Sequence, residues 1–162
     1  MILSKLALTL TETDINNGLT AAFTKMAETH GEMLKKVKDP SVQLKDGRLI
    51  FKCKASMGFV PLPIEAQLRL APSQNGEALD VTLSKLSMAM MGGEAGANAA
   101  MGQLATAIAG KPGLSVSGNT LTIAVSELAK LRGIQLDGKL NDIAIVNGTI
   151  ALDFHNVIKM HL

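Results

Sequence analysis

The chain has 162 residues, close to the usual size of one domain and long enough to bury about two-thirds of its unfolded surface in a single core. Its residues are 47% hydrophobic but only 2% aromatic, with four Phe and neither Trp nor Tyr, so ring platforms for stacking bases or sugars are nearly absent. The formal charge of +2 comes from interspersed signs with no basic stripe, which argues against a nucleic-acid partner.

Residues 4 to 10 alternate, Leu6, Leu8 and Leu10 against Lys5, Ala7 and Thr9, and this period of two predicts a half-buried strand. Such a start differs from the charged and then apolar pattern of a signal peptide, and no segment approaches the roughly 20 apolar residues of a membrane span. Thr11 then opens a helix in a near capping box with Asp14, and Glu12 and Asp14 favour the positive end of its dipole. Ile15, Leu19, Ala22, Phe23, Met26, Met33, Leu34 and Val37 recur at three- and four-residue steps, predicting one long amphipathic helix that Asp39-Pro40 ends.

Two-residue turns carry the next part. Asp46-Gly47 sets Leu44 opposite Leu49 and Val42 opposite Phe51. Gly118-Asn119 pairs Val116 with Leu121 and Leu114 with Ile123; Asn147-Gly148 pairs Ile145 with Ile150 and Ile143 with Leu152. Every register sets apolar on apolar, where a slip of one residue mixes the faces. A fourth hairpin, turning within Ser73 to Gly76, matches Leu68 and Leu70 with Leu79, Val81 and Leu83. Between the hairpins, Ala97, Met101, Leu104, Ala105 and Ile108 line a second, Gly/Ala/Met-rich helix from about Glu94 to Ala109, which glycines weaken and Pro112 closes. A third, short helix runs from Ser126 to Arg132. Strand, helix and hairpin thus occur twice, beginning at Leu6 and again at Leu121, a pattern that fits either an internal repeat or generic patterning.

The expected fold class is α+β, a curved antiparallel sheet of hairpins wrapped around the long helix and presenting one concave face. Residues 1–154 form one domain, and 155–162 read as a disordered or tag-like tail.

Chemistry-bearing residues are sparse. His30, His155 and His161 belong to no nucleophile, base or metal signature. Gly110-Lys111-Pro112 places Pro where a phosphate cradle needs a hydroxyl. Glu65 alternates outward in a strand, and Cys53, between Lys52 and Lys54, reads as a half-buried structural thiol. No enzyme, cofactor or metal is expected. The remaining feature is the methionines, Met57, Met88, Met90, Met91 and Met101, near Phe59-Val60-Pro61-Leu62-Pro63; they suit either core filling or an adaptable apolar site.

Leu8-Thr9-Leu10-Thr11-Glu12-Thr13-Asp14-Ile15-Asn16 resembles the entry to the long helix of small bacterial TULIP-type lipid-binding proteins of the LmeA-like and YpmS-like kind. The likeness extends through Val42 to Gly47 and Ile143 to Gly148, while the Met88 to Gly110 segment has no counterpart. The resemblance implies a groove between helix and sheet that accepts acyl chains, in a cell-envelope or periplasmic protein; lacking a tether, the chain has a cytoplasmic location as its alternative. The expected function is non-enzymatic binding of a lipid or other hydrophobic ligand, with peripheral membrane association. Phe23, Met26, Phe51, Met57, Met88, Met90, Met91, Met101 and Leu104 are the candidate lining residues. The alternative is a structural or assembly domain that uses its apolar patch or sheet edge for a protein partner or a homodimer.

Overall fold

A computed structural model describes residues 2–29, 36–88, 94–131, 133 and 135–159. Among these residues, ten strands and three helices follow in the order β1 (Ile2–Thr11), α1 (Glu12–Thr29), β2 (Val37–Lys45), β3 (Arg48–Met57), β4 (Val60–Pro72), β5 (Leu79–Met88), α2 (Glu94–Ile108), β6 (Leu114–Ser117), β7 (Thr120–Ile123), α3 (Val125–Lys130), β8 (Gln135–Leu136), β9 (Lys139–Val146) and β10 (Thr149–Lys159).

The strands divide into two antiparallel sheets. One has the order β2-β3-β4-β5-β7-β6; in the other, β10 pairs with β1 along one side and with β9 and β8 along the other. All four sequence-derived registers occur: Leu44 opposite Leu49, Val116 opposite Leu121, Ile145 opposite Ile150 and Leu70 opposite Val81. The turns do so for the expected reason, with positive φ at Asp46, Gly47, Gly118, Asn147 and Gly148, residue types that tolerate the left-handed region.

The expected fold class is corrected. The described structure is mostly β, and within it no long amphipathic helix is wrapped by a curved sheet. Turn chemistry specifies which strands pair locally, but the partner of β1 is β10, at the far end of the chain, and that pairing closes a second sheet. The apolar faces pack on one another: Val42 and Leu44 of β2 meet Ile150 of β10, with Leu49, Phe51, Leu70, Ile143 and Ile145 around them. Leu140 and Phe154 meet Leu136, with Leu6, Leu79, Val125 and Ala129 completing the layer.

The long helix is likewise shorter than its apolar stripe. Val37 already belongs to β2, and Asp39, at φ 52°, lies in a β-bulge of that strand and stops no helix. Ile15 and Leu19 pack against the core, Phe23 is half-buried and Ala22 is exposed, while Met33 and Leu34 lie outside the described residues. The capping box forms as read. Asp14 Oδ2 accepts from the Thr11 N–H (2.9 Å) and hydroxyl (2.7 Å), and the Asp14 N–H donates back to Thr11 Oγ1 (3.1 Å). The Thr11 hydroxyl and then the Thr11 N–H hold the Asp14 carboxyl below its ordinary value.

A second contribution of this helix is directed at the sheet edge. β2 ends the six-stranded sheet, and its outward peptide groups are met by side chains of α1. The Val42 N–H donates to Asn16 Oδ1 (2.7 Å), Asn16 Nδ2 donates to the Val42 carbonyl (2.9 Å), and the Leu44 N–H donates to Glu12 Oε2 (3.0 Å). Asn16 and Glu12 thereby stand in for a neighbouring strand.

The strand-helix-hairpin units are both present, β1-α1-β2-β3 and β7-α3-β9-β10, with β8 inserted in the second. Each unit's first strand lies in the sheet that holds the other unit's hairpin. The third helix starts at Val125 with Ala124 as its N-cap and no side-chain cap, so Ser126 lies inside it. The segment from residue 155, read as a tail, continues β10 to Lys159, where Ile158 pairs with Leu3 and Leu136.

The β4–β5 turn docks on the other sheet through Gly76, whose carbonyl accepts the Leu140 N–H at 2.7 Å. Gly76 has φ +70°, and a Cβ there would meet the Leu140 carbonyl oxygen at 3.0 Å and Lys139 Cβ at 3.1 Å. Gly76→Ala is expected to cost about 1–3 kcal/mol in urea unfolding, because neither the backbone conformation nor the space accepts a side chain.

Candidate functional site

The Met, Phe and Leu positions singled out from sequence do not form one site. Met88, Met101 and Leu104 come together, Met101 packing from α2 onto Leu83 and Leu86 of β5 with Ile64, Ala66 and Leu68 around it. That contact is core packing between helix and sheet. Phe51 belongs to the separate cluster around Val42, Leu44 and Ile150, and Phe23 is half-buried on α1. The side chains of Met26 and Met57, and all of Met90 and Met91, lie outside the described residues.

An open cleft of about 600 Å³ lies instead at one end of the six-stranded sheet, across β2, β3, β4 and β5. Cross-strand pairing builds it. Cys53 is opposite Ile64 and Ile64 opposite Met88, giving an apolar row. Ser41 is opposite Lys52, Lys52 opposite Glu65 and Glu65 opposite Ser87, giving a polar row. Pro63, opposite Lys54, and Asp39 from the β2 bulge complete the lining. The size falls within the range of small-molecule sites, which are mainly apolar with a few placed polar groups.

The charges along the cleft are not equivalent. Lys54 Nζ lies 3.2 Å from Asp39 Oδ2 and is neutralised there. Lys52 Nζ donates to the uncharged Gln43 Oε1 at 3.4 Å, and no ion pair of Lys52 occurs among the described residues. Lys52 and Glu65 alternate with Cys53 and Ile64 along their strands, so their side chains leave the sheet on the face opposite the apolar row. Cys53 is buried, and burial pushes its thiol up from its ordinary value, as expected of a packing residue and not of a nucleophile. Glu65, read as an outward strand residue, is half-buried along the same lining.

The sequence carried a usable sign of this cleft. Cys53 between Lys52 and Lys54 and Ile64 between Pro63 and Glu65 are period-two stretches, and the facing of one strand by the other follows from the turn at Gly58-Phe59.

A second cleft, of about 580 Å³, lies between β5, α2 and the β6–β7 turn, away from the first helix, against which the groove was expected. Its lining includes Ser84, Lys85, Asn98 and Asn119, and the Asn119 amide is engaged, donating to the Leu83 carbonyl at 3.1 Å. Elsewhere, Asp153 Oδ2 lies 3.0 Å from His155 Nε2 and 3.6 Å from Lys5 Nζ, a small polar cluster on the β1–β10 pair. Among the described residues, no group of three His, Cys, Asp or Glu is placed to hold a metal ion. No helix of the described residues is long and apolar enough to cross a membrane. Comparison with protein-family models, curated proteins and solved structures finds no match to this chain.

Proposed function

We propose that the protein is a non-enzymatic binder of a lipid or other hydrophobic ligand, held in the cleft across β2 to β5. The observation that carries this reading is the apolar row of Cys53, Ile64 and Met88 in the lining of that open cleft. Burial of an alkyl chain supplies the affinity, at roughly 0.8 kcal/mol per methylene. The TULIP-type resemblance of Leu8 to Asn16 contributes less, since Thr11, Glu12, Asp14 and Asn16 all have structural work at the helix start and the β2 edge.

Cys53 supplies a test. A saturating long-chain fatty acid is expected to slow modification of Cys53 by a thiol reagent several-fold, and native mass spectrometry is expected to show one bound acid per chain. Lys52→Gln, whose side chain leaves the other face of the sheet, is the control and should change fatty-acid affinity by less than about twofold. An unchanged Cys53 rate with no bound acid would overturn the reading.

A further inference from the structure

The β3–β4 hairpin ends in an apolar tip that packing among the described residues does not use. Met57 pairs with Val60 across the turn Gly58-Phe59, and Phe59 is 105% exposed while Val60 is 59% exposed. Gly58, at φ +70°, satisfies the steric demand of the turn. Nothing in that geometry requires an aromatic residue at 59, and the chain has only four phenylalanines.

Among the described residues the tip also projects. β2 accompanies β3 as far as Val37 opposite Ala55, with the Ser56 N–H donating to the Lys36 carbonyl at 2.7 Å, and β5 accompanies β4 as far as Met88 opposite Ile64. Beyond those rows the described structure is the two-stranded ribbon alone. Behind the apolar end stands a basic collar: Lys36 level with Ser56, and Lys38 paired with Lys54, about 10 Å back along the ribbon from Met57 at 3.3 Å per residue. Asp39 neutralises Lys54, and among the described residues Lys36 and Lys38 have no ion pair.

We propose that this hairpin tip inserts into the surface of an anionic lipid bilayer, Phe59 and Val60 entering the acyl boundary and Lys36 and Lys38 lying against the anionic headgroups. The depth and order of the two zones match an interfacial anchor, apolar for the first 5–10 Å or so and cationic behind. Pro61 and Pro63 remove two backbone donors from the projecting strand, so the ribbon is poorly built to recruit another chain by strand addition. Insertion also brings Lys54 and Pro63, which line the cleft, close to the headgroup level, a consequence that rests on the ligand reading above whereas the insertion itself does not.

Co-sedimentation with vesicles tests this without any cleft ligand. The protein is expected to pellet with equimolar phosphatidylcholine and phosphatidylglycerol and to remain in solution with phosphatidylcholine alone. Phe59→Ser with Val60→Ser should lower vesicle affinity at least tenfold, and Lys36→Gln with Lys38→Gln about thirtyfold, each with an unchanged circular-dichroism spectrum. Because the chain has no Trp, Phe59→Trp makes a single reporter whose emission should shift to shorter wavelength on the mixed vesicles. No pelleting of the unmodified protein, or equal pelleting of the Phe59→Ser, Val60→Ser variant, overturns the proposal. So does a dimer in light scattering that this variant abolishes, since the tip would then serve a protein contact.

Discussion

Replacing Phe154 with alanine is expected to lower the free energy of unfolding by about 3–5 kcal/mol, a large part of the 5–15 kcal/mol that holds a domain of this size together. Phe154 is 4% exposed, the most buried aromatic side chain in the described structure. It stands on β10 opposite Leu6 on one side and Leu140 on the other, so its ring belongs to the central strand of its sheet. The cluster it forms with Leu136 and Leu140 also reaches Leu79 of the six-stranded sheet and Val125 and Ala129 of α3. Truncation therefore opens a cavity at the point where both sheets and a helix meet. Leu131→Ala, at a position 64% exposed, is the control and should change stability by under about 0.5 kcal/mol. Urea unfolding of both variants checks the pair, and a loss below about 1 kcal/mol for Phe154→Ala would show that the two sheets do not share this core.

Local turn chemistry made much of the molecule legible. Asp46-Gly47, Gly118-Asn119 and Asn147-Gly148 each specify a register through φ alone, and the structure has those registers. The capping of α1 by Thr11 and Asp14 was legible for the same reason, because its partners are three residues apart. Sheet membership was not legible. The pairing of β1 with β10 joins residues nearly the whole chain apart, and Leu6, Leu8 and Leu10 state that a strand exists without stating its neighbour. The apolar stripe of the first helix misled at its far end because Val37 fits a helix face and a strand face equally well; the bulge at Asp39 and Pro40 decides for the strand. At the candidate site, composition drew attention to methionine, whose flexible side chain serves core and site alike. Met101 is core against Leu83 and Leu86, whereas the cleft is made by cross-strand neighbours of Cys53 and Lys52, visible only once strands are laid side by side.

Asn16 is the position where the sequence string and the structure are most closely tied, and Asn16→Leu is expected to cost about 2–4 kcal/mol. The side-chain amide donates to the Val42 carbonyl and accepts the Val42 N–H, while also donating to the Glu12 carbonyl one turn back at 2.9 Å. Leucine is close in size and a better helix former, so lost volume and lost helicity contribute little. What is lost is the partner of two backbone groups on a residue whose side chain is buried, at about 1–3 kcal/mol for each group left unpaired. The variant should also expose the outer edge of β2 to pairing with other chains, giving concentration-dependent association in light scattering that the parent lacks. Glu12→Gln isolates the effect of geometry from that of charge: the amide oxygen still accepts the Leu44 N–H, so stability should fall by less than about 1 kcal/mol and association should not appear. If Asn16→Leu proves as stable as the parent, water satisfies the Val42 peptide as well as the amide does. Thr11 through Asn16 then acts as a helix start alone, and the edge of β2 is protected by the charges of Lys38 and Lys45 rather than by α1.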